Sequence, residues 1–265
     1  MMSLKNVTDK TTIHSVVKSL DVLELLARNP KGLQIKEISS EMKFNISSTY
    51  HIMNTLMETG YVQKVDNERF KLGYKIPYLH HAYTQSNVPA YNLSTVLREL
   101  HEETGETCYL GIESNHDIII GEIIESVHTL RVGALYVGYK DHAHARATTK
   151  SILAFWPEAK IRHYFERRTP EKLTPSTVID LDELIKILSK TKEQGYCLDE
   201  EEFVKGVCCI AAPVFDVGGT VVASFTVSLP AERYWSRREE TIRMVRDAAD
   251  RATNSLGAAR RGSFE

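Results

Sequence analysis

Long hydrophobic runs are missing from this sequence. No apolar stretch approaches the roughly 18 residues that cross a bilayer as a helix, so no transmembrane segment and no membrane partner are expected. Met1–Thr12 is polar and lacks the charged-then-apolar order of a secretory leader, so a cytoplasmic location is expected. Cysteine is scarce. Cys108, Cys197, Cys208 and Cys209 are the 4 present, and their spacing fits neither a disulfide framework nor a zinc ribbon. Excess charge is lacking too: 33 Lys and Arg stand against 35 Asp and Glu, which excludes a general coat for nucleic acid. There is no Walker loop, dinucleotide fingerprint or nucleophile elbow. Gly218-Gly219 lies between two apolar runs, where it serves a hairpin rather than a phosphate. Neither an enzyme nor a cofactor is expected. Repeats and low-complexity tracts are absent, and 265 residues leave room for two domains.

What is present begins with helical periodicity. Over His14–Arg28, Val16, Leu20, Leu23 and Ala27 recur every three to four residues and predict an amphipathic helix, stopped by Asn29, Pro30 and Gly32. A short helix is expected over Gln34–Glu41, with Ile35 and Ile38 inward. A third, Ser47–Glu58, would bury Thr49, Ile52, Met53 and Leu56. After Gly60 two short runs, Tyr61–Gln63 and Arg69–Leu72, flank Asp66-Asn67-Glu68 and read as a hairpin. Three helices and a hairpin in this order make a winged helix-turn-helix, predicted for residues 1–73.

Such a motif lays its third helix in the major groove of double-stranded DNA. Tyr50, His51 and Asn54 would face base edges. Ser47 and Ser48, at the helix start, would meet phosphate. Lys43, Lys64, Arg69 and Lys71 would follow the backbone. The alternative is a winged helix used for protein contacts. Residues 1–75 carry 11 basic against 8 acidic side chains, the polarity DNA requires but a modest excess, so a dimer on an operator is expected.

Residues 74–91 read as a linker helix, with Ile76, Leu79 and Tyr83 roughly in phase, and residues 92–265 as the second domain. Asn92–Thr104 is predicted helical, with Val96, Leu97 and Leu100 inward. Thr107–Ile112 and Ile118–Ile124 are expected as antiparallel strands around Asn115-His116-Asp117. Helices are expected at Thr149–Trp156, Ile161–Phe165 and Leu181–Thr191. Val207–Val214 and Val221–Leu229 predict a second hairpin, and Ala231–Leu256 a long closing helix. The fold class is α+β: a winged helix followed by an antiparallel sheet with flanking helices.

Several stretches resemble the IclR family of bacterial transcription regulators. His144-Ala145-Arg146-Ala147-Thr148-Thr149-Lys150 is similar to that family's His-Ala-x-Ala-x-Gly-Lys element. Gly195-Tyr196, then Glu200-Glu201-Glu202, Gly206 and Cys209-Ile210-Ala211-Ala212-Pro213-Val214 follow at family intervals. The resemblance covers about Ile13–Leu256. It implies a GAF-like effector-binding domain, a homodimer or homotetramer, and regulation of catabolic genes, as repressor or activator, by a small carboxylic acid.

The resemblance also implies the effector site. Asp199 and Cys209 match polar pocket positions, Thr226 and Ser228 two hydroxyl positions, and Ala147 and Thr148 positions that offer backbone N–H groups. Leu130, Gly133, Asp141 and Val207 match the walls. The residues agree in part: Thr226 and Ser228 are two apart on a strand and share a face. Read without the family, both are satisfied strand hydroxyls and Cys209 a small core residue. Asp199 repels an anion, so it either takes a ligand hydroxyl as partner or carries a proton. The chain departs from the family at Thr149, where glycine is usual, and at Asp141, usually apolar. In the recognition helix Ile46-Ser47-Ser48 and His51 stand where Lys-Ser-Thr and Arg are common. A polar pocket mouth favours a hydroxylated or extended acid.

His142, His144, Cys209 and Asp199 are metal-capable, but His144 reads as a loop-ordering residue and no metal is expected. His80-His81 reads as a surface pair. Glu202 is expected to pair inward from a solvated bend. A redox switch at Cys208-Cys209 is disfavoured, because adjacent strand residues face opposite sides.

Overall fold

The structure is a computed structural model and describes residues 13–65, 68–86, 88–128 and 135–257. The chain divides into two compact units, Met1–Asn87 and Val88–Glu265.

The first unit opens with α1 (His14–Ala27), α2 (Ile35–Met42) and α3 (Ile46–Glu58), followed by β1 (Val62–Val65) and β2 (Arg69–Leu72). Local chemistry sets the boundaries. Gln34 and Glu37 form a reciprocal capping box at the start of α2. Lys43, at φ +56°, ends it in the left-handed conformation. Asn45 caps α3 by accepting the Ser48 N–H at 2.7 Å. The wing is an antiparallel pair from Val62↔Leu72 to Val65↔Arg69, extended by a bridge from Leu33 to Phe70. The core is Val22, Leu26, Ile38, Met53, Leu56, Val62 and Phe70.

One expectation fails here. Val16 and Leu20 do not join the apolar stripe of α1; they are 51% and 54% exposed. The helix buries Val22 and Leu26 instead. Ala27, in the last turn, is exposed as well, so the packed face is rotated from the predicted stripe: Val22 and Leu26 lie about a third of a turn around the helix from the Val16–Leu20–Ala27 line. α4 (Lys75–Ser86), read from the sequence as a linker, groups with this unit. Leu79 and His80 on it are exposed, and the Tyr83 side chain lies outside the described residues.

The second unit contains α5 (Val88–Thr104), β3 (Thr107–Ser114), β4 (Asp117–Ile124), α6 (Ala147–Leu153), α7 (Glu158–Glu166), α8 (Leu181–Gln194), β5 (Cys197–Glu200), β6 (Val207–Phe215), β7 (Val221–Pro230) and α9 (Ala231–Ser255). The strands form one antiparallel sheet in the order β4-β3-β7-β6-β5. Strand β5 was not expected. The β3–β4 turn places Asn115 and His116 at φ +51° and +65°, as a tight two-residue hairpin requires.

Both faces of this sheet are buried, and they differ in chemistry. On β7, Ala223, Phe225, Val227 and Leu229 join Cys108, Leu110, Cys208, Ile210 and the inner sides of α5 and α9 in one apolar core. The alternate residues Ser224, Thr226 and Ser228 are equally buried but face α6. Gly111 lets α6 lie this close: a Cβ there would run into Thr148 Cγ2.

Candidate functional site

Two regions gather polar side chains, one exposed on the winged helix and one buried between the sheet and α6. On the winged helix, α3 leaves Ser47, Tyr50 and His51 exposed and Asn54 half-buried, as a groove-reading helix must. Ser48 is half-buried, and its N–H is engaged by Asn45. Lys43 is exposed at the turn. Lys64 lies on the wing with Glu68 as a 3.4 Å exposed partner. Lys71 is half-buried on β2. Arg69 is held inward: it donates to Gly32 O at 2.6 Å and lies 3.5 Å from Glu37. A cleft of about 440 Å³ between α2, α3 and the wing is lined by Lys36, Ile46, Tyr50, Asn54, Met57 and Lys64. Lys36 was not anticipated, because spacing within α2 gives no hint that it shares a cleft with α3.

The second region lies between the polar face of the sheet and α6. The Thr148 and Thr226 hydroxyls are 2.8 Å apart, and Ser151 donates to Ser224 at 2.6 Å. The Cys209 thiol donates to Ser228 Oγ at 3.2 Å. Asp199 faces Cys209 across β5–β6 and is 1% exposed. Its carboxylate accepts the N–H groups of Glu202 at 2.7 Å and Phe203 at 3.3 Å. Burial pushes this carboxyl up to about 7, partly opposed by Lys150. Burial, reinforced by Asp199, also keeps the Cys209 thiol well above its ordinary value, so it is a neutral donor rather than a nucleophile. Cys208 points into the opposite, apolar core.

Lys150 organises this site. Its ammonium donates to Leu198 O at 2.9 Å and to Glu202 at 2.5 Å, the inward pairing expected of Glu202. Burial pulls its pKa down, and the fields of Cys197, Glu202 and Asp199 more than offset that, so Lys150 stays charged. Ala147 and Thr148 open α6 beside the hydroxyl row, Val207 is half-buried at the start of β6, and Asp141 is half-buried before α6. Leu130 and Gly133 lie outside the described residues. The structure adds an aromatic group that the sequence did not reveal. Tyr109, opposite Thr226 on β3, joins Ile120, Tyr139 and Phe203 in one cluster. The signal was hidden because Tyr109 reaches the site only through the β3–β7 pairing, across more than a hundred residues of chain.

The two histidines have separate partners. His142 Nδ1 is 2.6 Å from the Tyr139 hydroxyl, and His144 Nε2 is 2.9 Å from Glu171 O. Among the described residues no group of three His, Cys, Asp or Glu is placed to hold a metal. Among them, too, no helix is long and apolar enough to cross a membrane.

A winged helix on the same chain as a buried antiparallel sheet with one polar face is the architecture of a DNA-binding transcription regulator with a second, separate domain. The comparisons name its kind. A family model described as "Bacterial transcriptional regulator IclR C-terminal" matches residues 81–254, and one described as "IclR helix-turn-helix domain" matches residues 15–66. The chain belongs to the IclR family. It is similar to the HTH-type transcriptional regulator KdgR of Escherichia coli (strain K12), 29% identical over 93% of this chain and 94% of that protein. It is also similar to the HTH-type transcriptional regulator XynR of the same organism, 31% identical over 83% and 88%. Among solved structures, the Thermotoga maritima IclR aligns with TM-score 0.77 and 25% identity over 93% of this chain and 100% of that one. An IclR homologue from Microbacterium hydrocarbonoxydans complexed with 4-hydroxybenzoate shares the fold, with TM-score 0.77 and 17% identity over 92% and 100%.

Proposed function

We propose that this regulator binds operator DNA as a homodimer and that a small carboxylic acid carrying a hydroxyl group, of catabolic origin, sets its activity. The observation that carries the reading is the hydroxyl row of Ser224, Thr226 and Ser228. It is buried under α6 with Cys209 and Asp199 beside it, where an apolar core would have been the simpler construction. A carboxyl group pushed up to about 7 is divided between its neutral and ionised forms at neutral pH, so it donates to, or accepts from, a ligand hydroxyl. The relative complexed with 4-hydroxybenzoate is a precedent, in this fold, for a hydroxylated acid.

The dimer follows from the weak basic excess of the winged helix and from Val16 and Leu20, which are apolar and exposed in a single chain. A second copy covering them brings two recognition helices to two half-sites. Val16→Asp is expected to give monomers in sedimentation and to weaken operator binding at least tenfold.

The function is tested by a gel shift on the DNA beside the gene, repeated with hydroxylated aromatic acids and sugar acids. A specific shift altered by one acid, with Ser228→Ala blunting the response while sparing DNA binding, supports the reading. A shift indifferent to every acid removes the effector part.

A further inference from the structure

Arg146 stands directly before α6 and is 2% exposed. Its Nη2 donates to Ile118 O at 3.2 Å. Its Nε and Nη1 are buried, and among the described residues neither finds a hydrogen-bond partner. The guanidinium lies 5.2 Å from the centre of the Tyr139 ring. A cation–π contact offsets part of the cost of burying this charge, but it leaves two N–H donors unused. Two more buried polar atoms in the same state accompany them: Thr149 Oγ1 and Tyr164 OH. Thr149 lies in the first turn of α6, three residues after Arg146. Tyr164 is close enough to act on the charge of Arg146.

Nε and Nη1 lie on different edges of the guanidinium, so each presents a two-pronged edge to a carboxylate only together with the second N–H of Nη2, whose first is given to Ile118 O. The remainder of the site argues for the same end. Asp199 makes the Cys209–Ser228 end unfavourable for an anion and suitable for a hydroxyl. A continuous aromatic path joins the two ends. Tyr139 packs edge-on against Phe203 at 5.9 Å, and the Phe203 N–H donates to Asp199.

We infer that Arg146 binds the acid group of the effector, with Tyr164 and Thr149 as supporting hydrogen-bonding groups. The effector lies along Tyr139 and Phe203, with its hydroxyl at Asp199 and Ser228. The inference rests on the effector site proposed above and fixes the polarity of its ligand: an elongated hydroxy acid whose two polar ends are separated by an apolar or aromatic body. Burial pulls the Arg146 guanidinium down to about 10, which leaves it cationic at neutral pH.

The test is melting temperature and calorimetric binding of the full chain with 4-hydroxybenzoate, 4-hydroxyphenylacetate and 6-hydroxyhexanoate, each against its neutral amide. Wild type is expected to be stabilised by at least one acid and not by its amide. Arg146→Met is expected to bind that acid at least tenfold more weakly and to lose the preference for acid over amide. Without ligand it should melt at or above wild type, because an unpaired buried charge has gone. Arg146→Lys keeps the charge and loses the fork, so it should still prefer the acid, more weakly. If Arg146→Met fails to fold, unchanged acid binding by Arg146→Lys overturns the assignment. Acid binding equal in wild type and Arg146→Met but weakened by Ser228→Ala overturns it while leaving the effector site standing. No stabilisation of wild type by any of these acids overturns the elongated-acid assignment, and the gel shift with sugar acids then decides the effector site separately.

Discussion

Lys150 on α6 and Glu202 after β5 meet at 2.5 Å, 52 residues apart in the chain, and the lysine side chain is fully buried. The pair ties the helix that covers the polar face of the sheet to the segment that follows Asp199. Lys150→Met leaves Glu202 and Asp199 without their counter-charge. The expected cost is about 3–5 kcal/mol in urea unfolding, together with loss of effector response. Glu202→Gln keeps the shape and should cost less than Lys150→Met. Equal stability of wild type and Lys150→Met would show the pair to be ornamental.

Gly111→Ala puts a methyl group into Thr148. It is expected to cost about 1–3 kcal/mol, typical of overpacking. Displacement of α6 also separates the Thr148 and Thr226 hydroxyls, now 2.8 Å apart. Ligand affinity should therefore fall while operator binding without ligand stays intact, which calorimetry and gel shift measure on the same protein.

Asp199 predicts a pH dependence of stability. Burial raises its carboxyl from 3.8 to about 7. Between those values the folded protein keeps a proton that the unfolded chain has released. The contribution of this group to stability therefore falls as pH rises through the window. Urea midpoints measured from about pH 4 to about pH 7 should show that decline in wild type and less of it in Asp199→Asn. A decline of the same size in both would assign it to other groups.

On the DNA side the two kinds of contact separate by salt. Lys36→Ala and Lys64→Ala should each weaken binding to specific and random DNA alike and reduce the salt slope by about 1. Asn54→Ala should cost about 1–3 kcal/mol on the operator and little on random DNA. Arg69, whose guanidinium is bonded to Gly32 O, should show its loss mainly as reduced stability of the winged helix.

Local signals were readable in the chain. The α3 face of Thr49, Ile52, Met53 and Leu56 repeats at helical spacing, and Thr49, Met53 and Leu56 are buried as expected, with Ile52 packed alongside. The hairpins announced themselves through Asn115-His116 and Gly218-Gly219. What stayed hidden depends on distant pairing. Strand β5 is four residues with Cys197 and Asp199 on one side, a pattern that no hydrophobic alternation marks. Val16, Leu20 and Ala27 kept helical phase with one another, but the packed face lies about a third of a turn away at Val22 and Leu26, so an apolar stripe did not by itself mark the side that meets the core. Arg146 occupied a variable position in the family element. Only its burial, with Nε and Nη1 unpartnered among the described residues, distinguishes it.

The alternation along β7 has a wider consequence. Odd-numbered positions from Ala223 to Leu229 belong to the apolar core, and the even-numbered ones between them carry the hydroxyls of the proposed effector site. Under the proposed effector site, neighbouring codons answer to different demands, one to the integrity of the domain and the next to the identity of a metabolite. A regulator built this way can change what it listens to by single substitutions at alternate sites, without rebuilding the structure that lets it speak to DNA.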